Sequence, residues 1–172
     1  MQDVIHRKYQ ELAEIFKEGR VLKTDVWQET RDNDEAPIQA DEYLELLPDL
    51  VAKGKERGLN VTQGSIEDMP YKNGEFDTVI DTSTIDHTSQ YAKVISEYRR
   101  VLRDDGLLLL IAWNTSLPTL EDGGDLAGGR QYFFNRGEFR SEVERHFLIT
   151  SEEVLRDANP RQLVFYLCKP SK

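Results

Sequence analysis

The sequence has little of what marks secreted or membrane proteins. It contains one cysteine, Cys168, which cannot form a bridge within the chain, and no basic start followed by an apolar leader. We therefore expect a cytoplasmic protein. The longest apolar run, residues 107–113, is far shorter than the roughly 20 residues that span a bilayer. We expect no membrane association and interpret this run as a buried strand.

Basic residues and metal-ligand patterns are also scarce. Lys and Arg number 22 against 32 Asp and Glu, which gives a net charge of -10. Because binding to phosphate backbones needs clustered Lys and Arg, we expect no nucleic-acid partner. His6, His87 and His146 lie far apart without paired ligand spacing, so we expect no metal. The sequence does not indicate an oligomeric state.

Helix and strand signals alternate along the chain. Apolar residues recur at helical spacing in residues 4–16, and Pro48 stands where its missing N–H is tolerated at the start of a helix. Residues 27–39 and 114–130 carry loop composition. The predicted helices are residues 4–16, 48–58, 89–102 with Ser89 as cap, and 136–146; the predicted strands are residues 21–22, 43–46, 59–62, 76–80, 107–112, 147–154 and 162–167.

Repeated strand–helix–strand units predict a parallel sheet with helices on both faces. The turn signal at residues 157–160 joins the last two strands into a hairpin and predicts one antiparallel edge strand. We therefore expect an α/β fold, a doubly wound mixed sheet of seven strands with six parallel and one antiparallel, in one domain over residues 1–172.

Four segments of the chain resemble, in order and spacing, those of the class I S-adenosylmethionine-dependent methyltransferases, especially the small-molecule type. They are residues 47–53 after the second strand, residues 64–71 in the adenine loop, residues 75–80 in the fourth strand, and residues 97–106 before the fifth. The resemblance implies a Rossmann-like fold, S-adenosylmethionine as cofactor and methyl transfer to a small-molecule substrate. The protein would mainly align donor and acceptor.

The resemblance also suggests residues that bind the cofactor. Glu45 aligns with the acid that accepts hydrogen bonds from both ribose hydroxyls; the alternative is a solvated glutamate. Ser65 stands where the family places an acceptor for the adenine amine, and Ile66 offers an apolar face and its N–H. The alternative is that Ser65 caps a short turn. Asp81 directly follows the fourth strand, in the region where donor and substrate surfaces meet, and is the further candidate to bind the cofactor.

A cluster of residues that can exchange protons follows the fourth strand. In residues 81–88 the resemblance places the meeting point of cofactor and substrate, and Asp86 or His87 is a candidate to accept a proton from a nucleophilic substrate. The alternative is structural, with Asp86 capping the next helix and His87 packing at its first turn.

The chain departs from the family at residues 21–29. Lys23 stands in place of an acidic residue, and Asp25, Trp27 and Glu29 stand in place of three glycines that let the backbone approach the methionine part of the cofactor. An indole would fill that pocket, and Lys23 would repel the sulfonium. Two hypotheses remain: an altered site in which Asp25 or Glu29 supplies the negative charge for the cofactor's ammonium, or a methyltransferase-like scaffold that has lost the cofactor and acts as a binding or regulatory protein.

Overall fold

The computed structural model describes residues 2–12, 19–31, 38–122 and 129–171. The helices are α1 (Gln2–Leu12), α2 (Pro48–Glu56), α3 (Tyr91–Val101) and α4 (Arg136–Glu144), with a short 3-10 turn at Ile85–His87. The strands are β1 (Val21–Lys23), β2 (Glu42–Glu45), β3 (Val61–Gln63), β4 (Phe76–Thr82), β5 (Leu102–Thr115), β6 (Leu120–Asp122), β7 (Gln131–Asn135), β8 (Phe147–Ala158) and β9 (Arg161–Pro170). No helix among these residues is long and apolar enough to cross a membrane.

The strands form one mixed sheet of the predicted class. β3, β2, β1, β4 and β5 lie side by side in that order, all parallel. β9 pairs antiparallel with β5, and β8 pairs antiparallel with β9, so β8 runs in the direction of β5. These strands reproduce the expected six parallel and one antiparallel. The Rossmann-like doubly wound α/β fold predicted from the sequence is therefore confirmed.

Two details of the sheet differ from the prediction. The antiparallel strand β9 lies between β5 and β8 instead of at the edge. In addition, β6 and β7 form an antiparallel hairpin, and β7 pairs in parallel with the end of β5. These two strands raise the count among the described residues to nine. β6 has only three residues, Leu-Glu-Asp, which are too few to show an alternating apolar pattern.

The helix predictions hold in position but not at every end. α1 is described to Leu12, and residues 13–18 of the predicted helix lie outside the described residues, as do residues 32–37 and 123–128 of the predicted loops. α3 buries the apolar stripe expected of it, including Val94, Ile95 and Tyr98. Ser89 does not cap α3, because the helix begins after Gln90 and lacks a side-chain cap.

β5 divides the core into two layers. Leu108 and Leu110 belong to a cluster that contains the buried faces of α3 and α4. Leu109 and Ile111 point to the other side, into a cluster that contains Ile5 of α1. Successive side chains of a strand face opposite sides, so a continuous apolar strand needs cover on both faces. This packing leaves the carboxyl ends of the parallel strands as the edge where a site can form.

Candidate functional site

The predicted site residues gather at one edge of the sheet. Glu45 ends β2, Asp81 lies near the end of β4, and Asp25 and Ser65 follow β1 and β3. Ligands of open α/β sheets bind outside the carboxyl ends of the strands, where the strand order reverses. In this sheet that point lies between β1 and β4, so the residues converge where the fold favours a ligand.

Lys23 is the centre of a buried group of charges. Its Nζ atom donates to Asp25 Oδ1 at 2.8 Å, to the Asp25 carbonyl at 3.0 Å and to Glu29 Oε2 at 3.1 Å. Burial opposes its charge, but the two carboxylates hold the pKa of Lys23 above its ordinary value. With both carboxylates ionised, one positive and two negative charges leave a net charge of -1. Lys23 thus presents no unbalanced positive charge to a cationic ligand.

Asp25 uses its acceptor positions inside the protein. Oδ1 accepts from Lys23 and from Trp27 N at 3.0 Å, and Oδ2 accepts from the hydroxyls of Thr82 at 2.6 Å and Thr84 at 3.1 Å. Burial tends to raise the pKa of Asp25, but Lys23 and these hydrogen bonds lower it below its usual value. Because a carboxylate has about four lone-pair positions, a ligand would have to displace one of these partners.

Two buried side-chain oxygens of consecutive residues lack donors in the described part of the chain. Glu29 Oε1 and Gln28 Oε1 are buried and have no hydrogen-bond partner in the described part of the chain. Burial raises the pKa of Glu29, against the opposing effect of Lys23. Buried acceptors are almost always paired in folded proteins, so an unpaired set indicates a missing donor. An ammonium group is such a donor, and the resemblance places the cofactor's amino-acid part at this segment.

Glu45 is buried but only partly hydrogen-bonded. Oε1 accepts from Leu47 N at 2.9 Å and Oε2 from Val26 N at 3.4 Å. Burial raises the pKa of Glu45 above its ordinary value. A backbone hydrogen bond from Leu46 also acts on this carboxylate. Since a carboxylate has about four lone-pair positions, acceptor capacity remains open for a ligand hydroxyl as far as the described residues go.

The segment after β3 forms a short turn. Ser65 Oγ accepts from Glu67 N at 3.1 Å, and Ser65 forms a β-bridge with Asp68. Ile66 is half-buried against the core. The hydroxyl therefore has the local capping role considered above, and it retains one lone pair for another donor. The adenine contacts of Ser65 and Ile66 stay predictions.

The acids after β4 are buried and hold a turn in place. Asp81 accepts from Thr84 N at 2.7 Å, from Ile85 N at 3.1 Å and from the Tyr98 hydroxyl. Burial raises the pKa of Asp81 to about 7. These contacts hold the start of the 3-10 turn at Ile85–His87 in place, so Asp81 has a structural role beside the site. Periodicity predicted Tyr98 as a buried residue of α3, but no sequence signal predicted its hydrogen bond to Asp81.

Asp86 and His87 differ sharply in exposure. Asp86 is fully buried; it accepts from Trp113 N at 3.0 and 3.2 Å and from the Ser83 hydroxyl. Burial raises the pKa of Asp86 well above its ordinary value. The Asp86 carboxylate links the 3-10 turn to β5 through Trp113 N, and it does not cap α3. His87 is exposed, with Nδ1 3.0 Å from the Arg130 carbonyl oxygen, so it is the more accessible of the two candidates.

Comparison with known proteins supports the resemblance. A family model described as a methyltransferase domain matches residues 7–110. A protein of Encephalitozoon cuniculi that is named a methyltransferase is 30% identical over 122 residues, which cover 69% of this chain and 57% of that protein. The chain therefore spans little more than half of that relative's length.

Solved structures share the fold. The 1,6-didemethyltoxoflavin-N1-methyltransferase of Burkholderia thailandensis, with 1,6-didemethyltoxoflavin and S-adenosylhomocysteine bound, has a TM-score of 0.73 at 13% identity over 98% of this chain and 79% of that one. A protein of Listeria monocytogenes assigned as an S-adenosylmethionine-dependent methyltransferase has a TM-score of 0.74 at 12% identity over 99% and 100% of the two chains. At such identities the likeness shows the fold.

Proposed function

This chain belongs to the methyltransferase domain family, which indicates S-adenosylmethionine as the cofactor, and we propose that it transfers the methyl group of that cofactor to a small-molecule acceptor. The observation that carries the proposal is the Glu45 carboxylate. It is buried at the carboxyl end of β2, and its backbone partners among the described residues leave acceptor capacity open for a ligand. Doubly wound folds hold the ribose of a bound nucleoside with an acid at this place.

The amino-acid end of the cofactor requires a different arrangement from the family's glycine loop. We assign its ammonium group to the unpaired oxygens of Glu29 and Gln28, which lack donors in the described chain. Asp25 acts indirectly, because its oxygens hold Lys23, Trp27 N and two threonine hydroxyls. When Asp25 and Glu29 are both ionised, the net charge of -1 on the Lys23 group favours a cationic ligand.

The protein's own contribution to the reaction is orientation and proton transfer. The cofactor supplies an activated methyl group, so the chain needs little covalent chemistry beyond alignment and exclusion of water. His87 is the exposed group that takes a proton from a nucleophilic acceptor. Asp81 and Asp86 position it, because both bind the backbone or side chains around the 3-10 turn that carries His87.

A small-molecule acceptor is supported by the Burkholderia enzyme, whose structure holds 1,6-didemethyltoxoflavin. The chain's acidity suits a basic or neutral acceptor, since a strongly acidic protein repels anions. A cytoplasmic location and the absence of nucleic-acid partners stay predictions.

The direct test is titration calorimetry of the whole chain with S-adenosylmethionine and with S-adenosylhomocysteine. We expect binding of both ligands at one site per chain, together with an upward shift of the thermal midpoint that grows with ligand concentration. Absence of heat and of any thermal shift at millimolar ligand would contradict the proposal. That result would instead support the scaffold that has lost its cofactor.

A further inference from the structure

Trp27 is an exposed indole on a firmly hydrogen-bonded turn. Trp27 N donates to Asp25 Oδ1 at 3.0 Å, Thr30 N donates to the Val26 carbonyl at 3.0 Å, and Arg57 Nη1 donates to the Glu29 carbonyl at 2.9 Å. In this chain, a turn held by these hydrogen bonds thus stands where the family has its glycine loop. The side chain of Trp27 remains 37% exposed on it, although an indole gains most from burial.

The order of the strands places Trp27 relative to a bound cofactor. Across the edge of the sheet the strand order is β3, β2, β1; Ser65 follows β3, Glu45 ends β2, and Trp27 lies in the turn after β1. Val26 N donates to Glu45 Oε2, and Trp27 is the next residue in the chain. The backbone at Trp27 therefore lies close to the acid that we assign to the ribose. With the ribose on Glu45 and the base toward β3, the sulfur at the other end of the ribose lies toward β1. This step rests on the proposed function.

The face of the Trp27 ring contacts a cation of the protein, the guanidinium of Arg31. The Cζ atom of Arg31 lies 5.6 Å from the ring centroid, within the reach of a cation–π interaction of about 6 Å. The nearby Lys23 group adds negative charge when both of its carboxylates are ionised, as does the Glu45 carboxylate when it is ionised. The surroundings of this ring therefore favour a positively charged occupant.

We propose that Trp27 binds the sulfonium of S-adenosylmethionine by a cation–π contact, in exchange for Arg31. The neutral sulfur of S-adenosylhomocysteine lacks this attraction. The chain should consequently hold the methyl donor more tightly than the spent product, which helps the product to leave. The indole that replaces a glycine then has a role in discriminating donor from product.

The test compares the dissociation constants of the two ligands by calorimetry in the wild type and in Trp27→Leu. We expect the ratio of the constant for S-adenosylhomocysteine to that for S-adenosylmethionine to fall about 2- to 30-fold in the variant, the range of a cation–π contact. Trp27→Phe should keep part of the ratio. Leu46→Ala, which trims another exposed apolar side chain at this edge, should leave the ratio unchanged.

Arg31→Gln provides an independent test that leaves the indole in place. Removing the competing guanidinium should tighten binding of S-adenosylmethionine and raise the ratio, the opposite of Trp27→Leu. The chain has 2 tryptophans, so Trp113→Phe leaves Trp27 as the sole indole emitter. Its emission should change more with S-adenosylmethionine than with S-adenosylhomocysteine.

An unchanged ratio in Trp27→Leu, or equal losses for both ligands, would overturn the assignment of Trp27 while the proposed function stands. A wild type that binds neither ligand would overturn both. If circular dichroism shows that Trp27→Leu does not fold, an unchanged ratio in Arg31→Gln would overturn the assignment by itself.

Discussion

At the scale of single residues, two glutamates of β2 have different surroundings although both are buried. Glu45 accepts from backbone N–H groups of Val26, Leu46 and Leu47, and acceptor capacity stays open on it among the described residues. Glu42 accepts from the hydroxyls of Thr62 at 2.6 Å and Tyr71 at 3.2 Å, and from Arg20 at 3.1 Å. We therefore assign the first to the ligand and the second to the fold.

We expect Glu45→Gln to weaken binding of S-adenosylmethionine by about 10- to 150-fold, because a charged acceptor for two hydroxyls is lost at a cost of about 1.5–3 kcal/mol. Glutamine keeps the shape of the side chain. Calorimetry measures the affinity, and circular dichroism checks the fold. Wild-type affinity in a folded Glu45→Gln protein would show that the ribose assignment is wrong.

Two further substitutions serve as controls for Glu45. Glu56→Gln changes an exposed carboxylate of α2 and should alter neither affinity nor stability. Glu42→Gln should lower the free energy of unfolding by about 1–3 kcal/mol, since it weakens a buried polar network, with ligand affinity kept. If Glu42→Gln instead abolished binding in a folded protein, the ligand would lie on the wrong side of β2 for our site.

At the scale of elements, Gly106 sets how β5 starts. Phe76 pairs with Leu102 and Thr78 with Leu107, so the chain bulges between the two pairs. A Cβ atom on Gly106 would lie 2.9 Å from the Asp77 carbonyl oxygen and 3.0 Å from Leu102 Cδ2. Backbone atoms on the partner strand cannot move aside without disturbing the ladder, so this position requires glycine.

We expect Gly106→Ala to lower the free energy of unfolding by about 1–3 kcal/mol, the range for overpacking a filled site. Urea denaturation at one pH measures the change. Asp105→Ala, at the exposed neighbouring position, is the matched control and should change stability little. Equal stability of Gly106→Ala and wild type would mean that the strand start can shift to admit a methyl group.

Elements with a strong period were predictable from the sequence, and contacts between distant residues were not. The stripe of Val94 and Tyr98 on α3 and the continuous apolar run of β5 follow from periodicity. The partner of Asp86 does not, because Trp113 N lies 27 residues away and meets it only in the folded sheet. The sequence shows that Lys23 stands in place of the family's acidic residue. Its pairing with carboxylates 2 and 6 residues onward could not be predicted, because it depends on the turn that the chain adopts.

At the scale of the whole molecule, the fold keeps buried carboxylates at the edge where its site forms, and this should make its stability depend on pH. Asp81 has an ordinary pKa of 3.8 that burial raises to about 7. The folded state therefore binds this proton more tightly than the unfolded chain. The stabilisation from that proton is complete below pH 3.8 and is lost as the pH rises toward about 7.

Asp81→Asn tests this linkage. The amide oxygen can still accept from Thr84 N at the Oδ1 position, whereas the amide nitrogen replaces Oδ2, which accepts from Ile85 N. That loss does not depend on pH, and the side chain no longer titrates. The other buried carboxylates are common to both proteins, so their titrations largely cancel in the comparison. We expect the wild type to lose stability relative to Asp81→Asn by on the order of 1 kcal/mol per pH unit between about pH 4 and 7, with no further change above.

Urea unfolding at several pH values measures this difference, and Asp105→Asn, at an exposed position, should follow the wild type. Parallel stability curves for wild type and Asp81→Asn across that range would show that Asp81 is ionised in the folded state throughout, and that Tyr98 and the two backbone N–H groups outweigh the cost of burying its charge.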